Sequence, residues 1–457
     1  GYGRALDLYF ERHDGEAATV EDWLRVFEDA TGRDLAQFKR WYAQAGTPRV
    51  RVSEDYADGT YTLTLSQETP PTPGQPEKAP FVIPVAVGLL NPNGDEVVTT
   101  RVLELTEPTQ SFTFEGLAAR PVPSILRGFS APVILSRQAP DGEAAFLLAH
   151  DTDGFNRWEA AQALARRAIR ASLAGRAIDP AWAPSLGTAL RDDALDPAYR
   201  ALLLGLPSEE ETAQAVWPEG TPPDPVAIHR AHEAVRDHLA QGLADLLPDL
   251  HDQGRLPGPF SPDAGSAGRR ALGNAALMLL VRAEGPGQAE RQFAGATDMT
   301  QEVAALSALL TVGAGEAELA AFERRWGSER LVMDKWFALQ VTLARPEAAV
   351  AVAERLARRP DFDWRNPNRF RSVVGALGAN PAGFHDPSGA GYRFLADWLL
   401  RIDEANPMTA ARASTPFDAL ARLDPARRAL MEAELRRVQG SPGLSRDLSE
   451  MVGRMLG

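Results

Sequence analysis

The spacing of apolar residues changes period twice along this chain of 457 residues, and that constrains its fold more than any other feature. Up to Gly46 the apolar positions recur at helical steps. From Arg49 to Ser136 they alternate or run in short apolar stretches, and from about Asp141 to Gly457 they return to steps of three and four. Three such regimes predict a multidomain α+β chain: a short helical segment over residues 1–47, a β domain over 48–138 and a large helical domain over 139–457.

The first regime opens abruptly. Leu6, Tyr9 and Phe10 stand at helical spacing with no Met and no capping residue ahead of them, so the expectation is that the chain begins inside a helix of something larger. Asp14-Gly15 reads as a turn. Thr19, with Asp22 three residues on, is a capping-box pattern for a second helix that carries Trp23, Val26 and Phe27 on one stripe and stops at Gly32. Asp34 is placed to cap a third helix, with Leu35, Phe38, Trp41 and Tyr42 apolar, which ends at Gly46 before Thr47-Pro48 forces an extended path.

Beyond Pro48, Arg49–Val52 and Tyr61–Leu65 alternate as half-buried strands do. The Pro- and Thr-rich stretch from Glu68 to Pro80 reads as a loop, and Phe81–Leu90 as a longer strand. Asn91-Pro92-Asn93-Gly94-Asp95 supplies a hairpin turn to Val97–Leu105. With Ser111–Phe114, Ser124–Phe129 and Val133–Ser136 this gives about seven short strands, the pattern of a small antiparallel β-sandwich. None of its residue types points to catalysis, and a spacer role is the plain reading.

In the third regime Gly and Pro break the chain every 12 to 25 residues, and the helices have ordinary amphipathic stripes. Openings near Met299, Met333 and Asn366 recur at 34 and 33 residues, the spacing of stacked helical hairpins of the HEAT or armadillo kind. A curved superhelix follows from that stacking.

Composition narrows the function classes. The 62 Asp and Glu against 48 Lys and Arg leave a net charge of -14, which argues against nucleic acid or an anionic membrane as a partner. The absence of cysteine removes disulfides and thiolate metal sites without separating cytoplasm from periplasm, and no apolar run is long enough to span a bilayer. The opening residues lack a leader's basic and apolar regions, which in a piece of a longer chain says nothing about the parent; the expected location is cytoplasmic, with periplasm the alternative.

Catalytic constellations are not evident. His229 and His232 in HRAHEAV are three residues apart and His238 is nine beyond His229, on the opposite helix face, whereas the zinc motif HExxH sets two imidazoles four apart around a Glu. His13, His150, His251 and His385 are isolated, the last in a short helix followed by a turn. No Ser sits in a G-x-S-x-G elbow, and GAGEAE from Gly313 has no preceding strand to make a phosphate loop. Glu209-Glu210-Glu211 follow Ser208 at a helix start, where they complement the dipole. The expectation is no metal and no catalytic residue in this chain.

Arginines beside helix openings remain. Asn366-Pro367 and Asn406-Pro407 each place a cap before Pro. Phe370, Val373, Val374 and Leu377 form the buried stripe of the first helix, which puts Arg369 and Arg371 on its two flanks; Arg412 follows the second opening. On residue type alone each reads as an ordinary ion-pairing arginine.

The stretch LDLYFERHDGEAATVEDW with FKRWYAQAGTPRV resembles the closing helices of the thermolysin-like catalytic domain of bacterial aminopeptidase N, a zinc metallopeptidase family. The resemblance continues through QETPPTPGQPEK, ATDMTQEVAALSALL, RLVMDKWFALQ, NPNRFRSVVGALGANPAGFH and GSPGLSRDLSEMVGRML, in order and across all three regimes. It implies a β-sandwich and a helical superhelix that arches over a zinc whose HExxH and Glu ligands lie upstream of Gly1, in the missing N-terminal and catalytic domains. It further implies that Arg371 and Arg412 face the active-site chamber and hold the tail of peptide substrates, with Arg369 an ordinary ion pair. A guanidinium grips a terminal carboxylate through two hydrogen bonds, which Lys cannot reproduce. The competing reading is an independent helical-repeat scaffold that binds a peptide or protein without hydrolysis.

Overall fold

The structure is a computed structural model that describes residues 1–216, 222–256 and 258–457. It divides into two compact units, Gly1–Ala161 and Gln162–Gly457. No helix of the described residues is long and apolar enough to cross a membrane.

The first unit opens with helices α1 (Tyr2–His13) and α2 (Val20–Thr31), joined edge to face by Tyr9 and Trp23, whose ring centroids lie 5.0 Å apart. The capping box forms: Asp22 N–H donates to Thr19 Oγ1 at 3.2 Å, and Thr19 N–H to Asp22 Oδ2 at 3.0 Å. Gly32 ends α2 in the left-handed region with φ 71°. The third helix departs from expectation, since only the single turn α3 (Arg40–Ala43) is α-helical, although Asp34 does accept from Ala36 N–H at 2.8 Å. Tertiary bonds explain the loss. Gln37 donates to Thr106 O at 2.7 Å, Trp41 Nε1 to Val82 O at 2.8 Å, and the Gln44 amide bonds both backbone groups of Ala79, so this stretch is shaped by the sandwich beside it.

The seven strands are β1 (Arg49–Ala57), β2 (Thr60–Glu68), β3 (Ile83–Leu90), β4 (Glu96–Leu105), β5 (Thr109–Phe114), β6 (Val122–Ile125) and β7 (Ile134–Ser136). They form two sheets, β5-β2-β1-β7 and β4-β3-β6. The hairpin at Asn91–Asp95 closes through Asn91 N–H to Asp95 O at 2.8 Å, with Gly94 at φ 94°. Tyr61, Leu63 and Leu65 alternate inward from β2 and meet Ile83, Val85, Val87 and Leu89 of β3. The sandwich is antiparallel as expected in four of its five strand pairings, and the short β7 joins β1 in parallel. One expectation is corrected. No strand runs to Phe129: it ends at Ile125, Leu126 takes φ 62°, and a 3₁₀ turn covers Arg127–Phe129.

Arg127 supplies the reason. Its buried guanidinium lies against β3, donating to Ser124 Oγ at 2.8 Å, Thr100 Oγ1 at 3.0 Å, Asp151 Oδ1 at 3.0 Å and the carboxylate of Glu96. Turning an arginine inward at this point takes the backbone out of the extended path. Gly88 is required beneath it, since a Cβ there would sit 2.1 Å from Arg127 Cζ.

The second unit is helical, and its buried core runs continuously from Leu277 to Val452. Successive helix pairs include Met299–Thr311 with Glu316–Trp326 and Arg330–Thr342 with Pro346–Ala357. The next opening is at Pro367, capped by Asn366, which accepts from Asn368 and Arg369 N–H. Met333 therefore lies within a first turn that begins at Arg330, and the repeat is less even than its sequence spacing. The end of the unit returns to its beginning: Arg422 pairs with Glu210 at 2.9 Å, and Arg427 Nη2 reaches Asp224 Oδ1 at 3.0 Å while its Nε donates to His385 O at 2.7 Å.

Two histidines are structural. His232 is fully buried against Thr212 Oγ1 at 2.9 Å, and His385 is buried with its Nδ1 3.0 Å from Tyr392 Oη. Burial pushes both down to about 4, so neither carries a proton in the folded chain near neutrality.

Two outcomes follow from this packing. Arg127→Leu leaves Asp151 buried without its cation and costs about 3–5 kcal/mol in denaturant unfolding, and Gly88→Ala destabilises through the same network. An unchanged unfolding midpoint in both variants would contradict the role given to Arg127. The histidines set an acid limit: the unfolded chain binds protons below pH 6.5 that the folded chain refuses until about 4, so stability falls as pH drops through that window. Each contributes on the order of 3 kcal/mol at the acid end, and His232→Gln and His385→Gln should flatten the pH dependence of Tm, with equal slopes in variant and parent counting against it.

Candidate functional site

Arg371 and Arg412 stand on neighbouring elements of the helical unit. Arg371 opens a π-helical segment, Arg371–Gly375, within the helix over 367–378, and Arg412 lies in the helix Pro407–Ala413, which packs beside that segment. Asn406 caps the second helix, accepting from Thr409 N–H at 3.0 Å. Both arginines are exposed, and among the described residues neither makes an ion pair; Arg371 Nη2 donates only to Asn368 Oδ1, at 2.5 Å.

Arg369 is different. It is buried, with Nε donating to Asp334 Oδ1 at 2.5 Å, Nη1 to Asp361 O at 2.7 Å, and its guanidinium 4.5 Å from the Phe337 ring centroid. The sequence places Arg369 and Arg371 symmetrically about the stripe of Phe370, Val373, Val374 and Leu377, which is buried as expected. The neighbouring helix breaks that symmetry by presenting Asp334 to one flank alone.

A concavity of about 560 Å³ in the helical unit lies elsewhere. Its apolar wall includes Leu204, Leu206, Leu239 and Met278, and its polar wall Glu209, His229, Glu233, Arg236, Arg282 and Arg345. The carboxyl ends of the helices Pro197–Leu203, Met299–Thr311 and Arg330–Thr342 reach it through Leu204, Thr311 and Thr342. Asn380 anchors the last of these, donating to Ala344 O at 2.8 Å and Val341 O at 3.2 Å. Glu233 is saturated by Arg236 Nη1 at 2.7 Å and Arg282 Nη2 at 2.6 Å, and Arg282 also holds Asp237 at 2.8 Å. Burial alone would push the Glu233 carboxyl up, but the two arginines hold it below its usual range.

His229 Nδ1–H donates to Glu209 Oε1 at 2.8 Å, and that bond raises the imidazole above its ordinary value against the opposing effect of burial. All three glutamates of the triplet stand in the first turn of Glu209–Val216, as expected, and Glu211 also forms a capping box with Ser208. Glu210 reaches Arg422, and Glu209 turns into the cavity. No local signal distinguishes Glu209 from Glu210, because their charged partners, His229 and Arg422, lie 20 residues or more away. Arg345 was also unmarked, since Arg345-Pro346 reads only as a helix opening.

The zinc chemistry of the resembling family does not fit the imidazoles present. His229 faces Glu209, His232 faces Thr212 and His238 stacks on Trp182, so the three diverge. Among the described residues no group of three or more His, Cys, Asp or Glu is arranged to hold a metal ion.

Comparison with known proteins agrees with this architecture. Residues 141–457 match the family model described as DUF3458_C, ARM repeats, and residues 46–138 match DUF3458, an Ig-like fold. The chain is similar over its whole length to "Aminopeptidase N" of Caulobacter vibrioides, at 44% identity, and to "Aminopeptidase N" of Escherichia coli, at 37%. It spans 54% of each, about half the length of these curated relatives. The crystal structure of Legionella pneumophila aminopeptidase A in complex with aspartic acid superposes with a TM-score of 0.85 at 28% identity, over 99% of this chain and 54% of that one. The chain belongs to the DUF3458_C family, its ARM-repeat domain following an Ig-like domain as in the C-terminal portion of aminopeptidase N.

Proposed function

We propose that this chain is the non-catalytic C-terminal part of a zinc aminopeptidase that removes N-terminal residues from peptides. The observation that carries the reading is the end-to-end similarity to proteins named Aminopeptidase N, which keeps its order through an Ig-like and an ARM-repeat domain. In this reading residues 1–47 close the catalytic domain, 48–138 are the sandwich and 139–457 the helical cap that encloses the chamber. The metal, held by residues upstream, would polarise the scissile carbonyl and activate water; this chain contributes enclosure and a grip on the peptide's far end. The helical repeats alone also fit a separate scaffold, but that alternative leaves the order of the preceding domains unexplained. A cytoplasmic location completes the reading and is checked by cell fractionation.

Arg371 and Arg412 are the residues assigned to the peptide tail. Their exposure and freedom from ion pairs among the described residues support that assignment, because a guanidinium already neutralised by a neighbour would bind a carboxylate weakly. Arg369, buried on Asp334, is given a structural role.

In the complete enzyme, Arg371→Ala or Arg412→Ala should lower kcat/KM for di- and tripeptides by about 1.5–3 kcal/mol, roughly tenfold to a hundredfold, and leave aminoacyl anilides nearly unchanged. Arg369→Ala would unsettle the helix itself, so exposed Arg358, which among the described residues pairs only with Glu354, is the control. Equal losses for anilides and free peptides would assign the two arginines to docking of the cap. The chain alone, purified and supplied with zinc, should neither retain stoichiometric metal after dialysis nor release amino acids from anilides; chelator-sensitive turnover that survives repurification would overturn the non-catalytic assignment.

A further inference from the structure

The charges around the helical cavity are not all matched. Arg236 and Arg282 consume both oxygens of Glu233, and Asp237 takes the rest of Arg282. Two groups on the wall lack a fixed opposite charge. Glu209 has one oxygen on His229 and, among the described residues, no partner for Oε2. Arg345 makes no ion pair among the described residues; its guanidinium lies over Gly313, where a Cβ would stand 3.1 Å from Nη2. The two sit on different helices, Glu209 opening Glu209–Val216 and Arg345 preceding Pro346–Ala357.

One cavity with a carboxylate that keeps one oxygen free beside a titratable imidazole, an unmatched guanidinium and an apolar floor suits a molecule that carries both signs of charge. We propose that this cavity binds a short zwitterionic peptide, its α-ammonium on Glu209 and its α-carboxylate on Arg345, as a site separate from Arg371 and Arg412. The size agrees: about 560 Å³ lies within the roughly 300–1,000 Å³ of sites that enclose small organic ligands. The electrostatics agree as well. Carboxyl ends of three helices reach the cavity and favour a cation, while Arg345 marks the amino end of Pro346–Ala357, where an anion is favoured. Leu204, Leu239 and Met278 offer apolar contact to small side chains. Arg345 can meet a carboxylate with two parallel N–H donors. The inference stands on the cavity itself and does not require the peptidase reading.

The test uses the chain as it is, with alanine, dialanine and trialanine as probes in calorimetry, and with the ring resonances of His229, assigned through His229→Gln, as a reporter inside the cavity. At least one probe should bind saturably and shift those resonances. N-acetylation and C-terminal amidation should each weaken it by about tenfold or more, as should Glu209→Gln and Arg345→Ala. The pairing is specific: the acetylated peptide should be insensitive to Glu209→Gln, and the amide insensitive to Arg345→Ala. Capped peptides test the unaltered chain, so the outcome does not depend on how the variants fold. In the double variant Arg371→Ala/Arg412→Ala the peptide should still shift the His229 ring resonances. No saturable binding at millimolar peptide, equal binding of capped and free peptides, or loss of that shift in the double variant would each overturn the proposal. Failure here leaves the kinetic test of Arg371 and Arg412 untouched, and the reverse also holds.

Discussion

One guanidinium of the helical unit, that of Arg427, ties an early part of the stack to a late one, beside the packing of Pro225–Gly242 on Pro381–Phe384. It holds Asp224 and Asp424 through charge and His385 through its carbonyl, so the cap of one early helix, the cap of a late helix and a buried turn share one donor group. Such a half-desolvated network is weak evidence for net stability, because desolvating the ions offsets most of the attraction. Its role is geometric. A helical array in which each pair touches only its neighbours has no intrinsic reason to curve to a particular closure, and Arg427 with Arg422 supplies one.

Closure positions everything else in that unit. The cavity draws its wall from helices between Ala201 and Pro381, and it persists only while those helices keep their places around it. Arginine carries nearly every such contact in this chain, and its planar fork suits it to bridging several partners, as Arg369 does by contacting a carboxylate, a carbonyl and an aromatic face at once. Where no acid is presented among the described residues, as at Arg371, Arg412 and Arg345, the same side chain remains available for a ligand.

The first unit solves a similar problem with Arg127. There the inward guanidinium is matched to Gly88, whose missing side chain makes room, and to Glu96 and Asp151, which neutralise it. Burial pushes the Asp151 carboxyl up, which marks the cost of placing charge between strand and loop. Both units are thus specified at their joints by arginine and elsewhere by ordinary apolar packing.

Most of the fold was legible because periodicity is a local property. The alternation of Tyr61, Leu63 and Leu65, the capping box of Thr19 and Asp22, the Asn93-Gly94 turn and the stripe of Phe370, Val373, Val374 and Leu377 each depend on residues within one or two turns of one another. The expectations that failed were those decided by distant partners. Asp34 could not hold a full helix against the bonds that Gln37 and Trp41 make to the sandwich, and Ser124–Phe129 could not stay extended once Arg127 turned inward. By itself, then, the sequence determined the succession of helical, strand and helical regions, the apolar faces and the resemblance to aminopeptidase N. Only the tertiary structure decided which arginine of a symmetric pair is buried, which glutamate of three faces a cavity and which charges stay unmatched, because an ion pair requires two groups at hydrogen-bond distance and the chain separates those groups by tens to hundreds of residues.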